Sequence, residues 1–177
     1  MCGIAGILGA LDETNRAALR SLSAAIEHRG PDSAGSWESK PDDRGHGCML
    51  AHRRLSIIDL STASDQPMSD PDERHTIVFN GEIYNFTELR AQLEHSGESF
   101  ESAGDTEVML RLLVRKGIDA CPELRGMFAL GLWNDDARQL TLVRDPHGIK
   151  PLYVCRNPDP NGNWSLVFAS ELRAIMA

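Results

Sequence analysis

The sequence lacks the features that would place it in several classes at once. Its four cysteines, Cys2, Cys48, Cys121 and Cys155, include no Cys-x-x-Cys pair and no spacing that resembles a zinc site. His46, His52, His75, His95 and His147 show no ligand spacing either, so no metal is expected. The N-terminus MCGIAGILGALDE has a short apolar stretch without a basic region before it, so no signal peptide is expected. The cysteines are therefore read as reduced thiols in a cytoplasmic protein. No apolar run is long enough to span a bilayer, so no membrane partner is expected. There is no Lys/Arg-rich run. With 26 acidic against 18 basic residues the net charge is −8, and such a chain repels a phosphate backbone, so nucleic acid is not expected as a partner.

What is present is an ordinary globular composition. Hydrophobic residues make up 41% and charged residues 25% of 177 positions, without repeats or low-complexity segments. That length suits a single domain over residues 1–177, large enough to bury a core.

The apolar run Ile4 to Leu8 predicts a short buried strand that would pin the residues before it. The spacing of Ala18, Leu22, Ala25 and Ile26 predicts a helix over Thr14 to His28, capped by Thr14 or Asn15 and stopped by Gly30-Pro31. Glu38 to Gly47 reads as an exposed loop. Cys48 to Ala51 and Leu55 to Ile58 read as strand pieces around the polar insert His52-Arg53-Arg54, with a loop over Ser61 to Arg74. Thr76 to Phe79 is a strand that should end in a turn at Asn80-Gly81. Helices follow at Thr87 to His95, closed by Gly97, and at Asp105 to Lys116, capped by Asp105 or Thr106 and closed by Gly117. Met127 to Trp133 and Gln139 to Val143 read as a hairpin about Asn134 to Ala137, with strands at Tyr153-Val154 and Ser165 to Ala169. Strands and helices come in blocks, not in strict alternation, which argues for an α+β class.

Several segments stand out, in order, along almost the whole chain. They are Met1-Cys2-Gly3-Ile4-Ala5-Gly6, His28-Arg29-Gly30-Pro31-Asp32-Ser33, the stretch His52 to Asp59, Gln66-Pro67-Met68, Phe79-Asn80-Gly81-Glu82-Ile83-Tyr84-Asn85, Gly104-Asp105-Thr106-Glu107, Gly126-Met127-Phe128-Ala129 and Arg144 to Tyr153. Together they resemble the N-terminal glutaminase domain of the glutamine-hydrolysing asparagine synthetases, which are class II glutamine amidotransferases. The resemblance implies an N-terminal-nucleophile hydrolase fold, two antiparallel β-sheets packed between helices (αββα). It also implies L-glutamine as substrate and a synthetase domain or subunit that receives ammonia. Such enzymes carry a Ser-Gly-Gly-Leu-Asp-Ser loop in an ATP-using synthetase domain. This sequence has neither that loop nor a Walker loop, so ATP and Mg are expected only in a domain absent from this chain, and no cofactor in this one. Gly104 stands where the family usually has Ser.

The chemistry suits the residues. Removal of Met1 would make Cys2 the N-terminus, where an α-amine of pKa about 7.7–8 can take the thiol proton. Gly3 allows close approach of the backbone. By resemblance, Asn80 and Gly81 form an oxyanion hole, Arg54 holds the substrate α-carboxylate, Asp105 the α-ammonium, and Glu82 assists. The plainer alternatives are a core cysteine, an Asn-Gly turn, a surface ion pair at Arg54 and a helix N-cap at Asp105. Alternation puts Arg53 on the opposite strand face from Arg54. His28, Arg29 and Asp32 are expected to shape the pocket or its lid, and Arg144-Asp145 and Lys150-Pro151 have no derivable role. A chain that kept Met1 would instead be a non-catalytic partner module, and an N-terminal-Cys hydrolase of another amide is the further alternative.

Overall fold

The computed structural model describes residues 1–56 and 61–177. Its organisation follows from strands buried on both faces. β1 (Gly3–Ala10) buries Ile4, Ala5 and Ile7 almost completely, so layers must cover it from both sides. It is the central strand of an antiparallel five-stranded sheet. β3 (His46–Arg54) and β9 (Trp164–Ala169) flank it, with β2 (Ser33–Glu38) and β8 (Tyr153–Arg156) at the edges. A second antiparallel sheet runs β4 (Met68–Ser69), β5 (His75–Ile83), β6 (Gly126–Asn134), β7 (Gln139–Arg144).

The period-two alternation sorts side chains into three buried layers. Ala5 and Ile7 pack with Leu19, Leu22 and Ile26 from α1 (Glu13–Ala25) and its continuation, and with Ala174 of α4 (Leu172–Ile175). Ile77, Phe79 and Leu130 pack with Leu89 and Leu93 of α2 (Phe86–His95) and Val108 and Leu112 of α3 (Asp105–Lys116). Between the sheets lie Ile4, Cys48, Leu50, Val78, Ala129, Trp133 and Phe168. The result is the helix–sheet–sheet–helix α+β architecture that the resemblance implies. No helix among the described residues is long and apolar enough to cross a membrane.

Several local expectations are corrected. Asn80-Gly81 is not a turn: β5 runs through it to Ile83, paired with β6 from His75↔Asn134 to Ile83↔Gly126. Glycine is needed there for another reason, since a Cβ at Gly81 would overlap the Met127 carbonyl and stand 2.7 Å from Cα of Phe128. His52-Arg53-Arg54 does not interrupt β3, because each side chain finds a partner. His52 Nε2 lies 3.2 Å from the Phe79 carbonyl, Arg53 donates to Ser23 Oγ at 2.9 Å, and Arg54 pairs with Asp65 at 2.7 Å. Arg53 and Arg54 thus do face opposite ways. Leu55 lies beyond the strand, and Ile57 and Ile58 of the expected strand piece lie outside the described residues.

α1 is capped by Asp12, whose side chain accepts from Asn15 N at 2.8 Å; Asn15 Nδ2 is engaged instead by the carbonyls of Ala10 and Asn163. The helix ends at Ala25, and Glu27–Arg29 follow as a 3-10 turn. α3 has the expected bounds, but its cap is Gly104, which has no side chain to bond, and Asp105 and Thr106 already lie in the helix. β2 forms without a local strand signal, since its Ser, Ala and Gly give little apolar alternation.

Candidate active site

The same alternation assembles the site. Cys2 precedes β1 and continues the face of Ile4. Arg54 ends β3 on the face of Cys48 and Leu50, and Asn80 follows Val78 on β5. All three therefore reach the same end of the inter-sheet layer, where they line one pocket with Gln66, Glu82, Asp105 and Lys150. Its empty space, with the solvent at its open mouth included, is about 730 Å³.

The peptide of Leu55 brackets the Cys2 thiol. Leu55 N donates to Sγ at 3.4 Å, and Sγ reaches Leu55 O at 3.7 Å. Arg29 Nε donates to the Cys2 carbonyl at 3.0 Å, fixing the main chain that carries the thiol. Met1 lines the same pocket, and Lys150 Nζ donates to its Sδ at 2.7 Å. Lys150 is 3% exposed, and burial, followed by the nearby Arg29 charge, pulls its pKa below the usual lysine range.

Asn80 is 1% exposed, and its Nδ2 has no hydrogen-bond partner among the described residues. A buried donor left unmade costs about 1–3 kcal/mol, and this one belongs to a residue lining the same pocket as Cys2. Only glycine at the next position lets β5 pass this close to β6.

At the far wall, Arg54 Nη1 donates to Asp65 Oδ1 and to the Ser61 carbonyl at 2.9 Å, which orients a nearly buried guanidinium. The ion pair expected as the plain alternative is therefore present, though buried on the arginine side. Asp105 accepts from Ile83 N at 2.9 Å. Burial pushes its pKa up, only partly offset by that bond, and the neighbouring Glu82 pushes the same way. Glu82 is exposed at the pocket rim.

Two pocket residues escaped sequence reasoning. Gln66 Oε1 accepts from Phe79 N at 2.6 Å while its Nε2 donates to Thr106 Oγ1 at 3.2 Å, tying the residue before Asn80 to the residue after Asp105. Lys150 lies in the stretch Arg144 to Tyr153, where the sequence assigns it no role. Its contact with residue 1 is long-range, and no local spacing announces it.

Against known proteins, a family model described as glutamine amidotransferase domain matches residues 1–177. The chain is 39% identical over 180 residues to asparagine synthetase [glutamine-hydrolyzing] 1 of Bacillus subtilis, covering 99% of this chain and 27% of that protein. It is 37% identical over 178 residues to a probable asparagine synthetase [glutamine-hydrolyzing] of Dictyostelium discoideum, covering 99% of this chain and 30% of the relative. The chain thus spans less than a third of these relatives. Among solved structures, the glutamine phosphoribosylpyrophosphate amidotransferase of B. subtilis matches with a TM-score of 0.78 at 22% identity, over 99% of this chain and 43% of that one, a likeness of fold.

Proposed function

The chain belongs to the glutamine amidotransferase domain family, and from that premise we propose that it hydrolyses the side-chain amide of L-glutamine through Cys2. One observation carries the reading: the buried, unpartnered Asn80 Nδ2 lines the same pocket as the Cys2 thiol. A reserved donor of this kind suits an oxygen that gains charge only as the reaction proceeds.

With Met1 removed, the α-amine of Cys2 takes the thiol proton, and the thiolate attacks the amide carbon of glutamine. The carbonyl oxygen becomes an oxyanion, stabilised by Asn80 Nδ2 and the Gly81 N–H. The amine returns the proton to the leaving nitrogen, ammonia departs, and water resolves the thioester to glutamate. Arg54, oriented by Asp65, holds the substrate α-carboxylate, and Asp105 with Glu82 holds its α-ammonium. This pairing selects a free α-amino acid over other amides. The ammonia is destined for a synthetase domain or partner that amidates a carboxylate, aspartate to asparagine. ATP and Mg act there and not in this domain.

A second reading has its own observation, the contact between Lys150 and the Met1 sulfur inside the pocket. A chain that keeps Met1 has an amide in place of the basic amine and a Met1 side chain lining the pocket, and serves as a non-catalytic module. The test is ammonia release from L-glutamine by protein of verified N-terminus, with L-asparagine and N-acetylglutamine as controls. Release from glutamine alone supports the proposal. No release from a chain that begins at Cys2 contradicts it.

A further inference from the structure

The segment that follows β9 grips the N-terminus at two points. Ser170, fully buried, donates its N–H to the Ile4 carbonyl at 2.9 Å, and its Oγ accepts the Ile4 N–H at 3.0 Å. The next residue, Glu171, holds Arg29: Oε1 accepts from Arg29 Nη1 at 3.0 Å, and Arg29 Nε donates to the Cys2 carbonyl. Arg29 Nη2 is buried without a hydrogen-bond partner among the described residues. The guanidinium therefore stands on those two bonds, one to the nucleophile's own main chain and one to Glu171.

We infer that Glu171 is a positioning residue for the nucleophile, fixing the main chain of Cys2 through Arg29, so that the segment after β9 and the thiol move as one unit. The inference rests on Cys2 being the nucleophile proposed above. The Glu171 carboxylate is built to stay ionised: burial alone would raise its pKa, but bonds from Arg29, His28 and Arg173 outweigh burial and lower it. Arg173 approaches the other oxygen, Oε2, at 2.6 Å and is 59% exposed, so the Arg29 bond does not depend on it.

The consequence is specific to orientation. Without the carboxylate, Arg29 retains one partner and the Cys2 main chain gains freedom. The substrate-holding residues Arg54 and Asp105 stay in place. A displacement of the order of 1 Å at a reacting atom can cost about 100-fold in rate. The isosteric Glu171→Gln, which keeps one acceptor oxygen but loses the charge, should show about a tenfold loss.

The experiment is steady-state glutamine hydrolysis by wild type, Glu171→Gln and Arg173→Ala, with thermal melting of each. The expected result is a kcat lower by about tenfold in Glu171→Gln, a KM within about twofold of wild type, and near-normal values for Arg173→Ala. A Glu171→Gln protein with wild-type kcat, or with kcat lost no further than in Arg173→Ala, overturns the inference. So does one that no longer folds, which would make Glu171 a structural clamp. An inactive wild type beginning at Cys2 would instead overturn the glutaminase reading itself, and this inference with it.

Discussion

The two ends of the layer between the sheets are made by the same strands and the same alternation, yet they do opposite things. At one end Leu8, Cys48 and Trp133 close an apolar core. At the other, Cys2, Arg54 and Asn80 continue the same faces into a pocket with an unmade hydrogen bond. Each end holds a cysteine. Cys48 is fully buried, and desolvation drives its thiol pKa far above the usual range, which makes it inert packing. Cys2 is half-buried, bracketed by a peptide group and next to the chain terminus. The fold supplies inward-facing positions; the residue types at the open end turn them from core into site.

The comparison can be broken at its strongest point first. Cys2→Ala should lower glutamine hydrolysis by at least about 10⁴-fold while leaving the melting temperature close to wild type. Asn80→Ala should lower kcat by about 10²–10³-fold. Because Nδ2 has no partner to lose among the described residues, denaturant unfolding of this variant should stay within about 1 kcal/mol of wild type.

His52 stands between the two ends, 1% exposed, its pKa lowered to about 4 chiefly by burial. The unfolded chain binds this proton near pH 6.5 and the folded one only near 4. Its contribution to stability is therefore present at neutral pH and lost as pH falls through that window, by about 3 kcal/mol. His52→Asn should flatten that part of the unfolding free energy against pH.

Asp105 gives a smaller effect on binding. Its raised pKa means that glutamine affinity weakens as pH falls through a range higher than for an ordinary aspartate, because only the ionised form holds the α-ammonium. Asp105→Asn should raise KM by about tenfold or more and remove that acid limb from the KM profile. Smallest of all, Cys48→Ala should cost about 1 kcal/mol of stability and leave kcat unchanged.

Much of this architecture was legible in the sequence, and the misses share a cause. β1, α3 and the β6–β7 hairpin carry their own signals: an unbroken apolar run, helical spacing closed by Gly117, and turn residues between alternating strands. Asn80-Gly81 misled because the dipeptide is a turn signal in isolation, whereas here Gly81 answers to the neighbouring strand, which no local rule contains. His52 and Arg54 looked like an interruption because polar residues in a buried strand are satisfied by distant partners, Phe79 and Asp65. Lys150, Gln66 and Glu171 gain their roles only through contacts far along the chain. The assignments at Asn80, Gly81, Arg54, Glu82 and Asp105 come from the family resemblance, and the one at Cys2 also from its place after Met1 and before Gly3. The pocket brings all six together, and their separate roles are what the substitutions above would test.

The most direct test of Cys2 as a glutamine-specific nucleophile is intact mass before and after exposure to a diazoketone analogue of glutamine. The account predicts a chain lacking Met1 that takes one adduct, mapped to Cys2 and blocked by excess glutamine. A chain lacking Met1 that takes no adduct, or takes it at Cys121 or Cys155 without protection by glutamine, would contradict it.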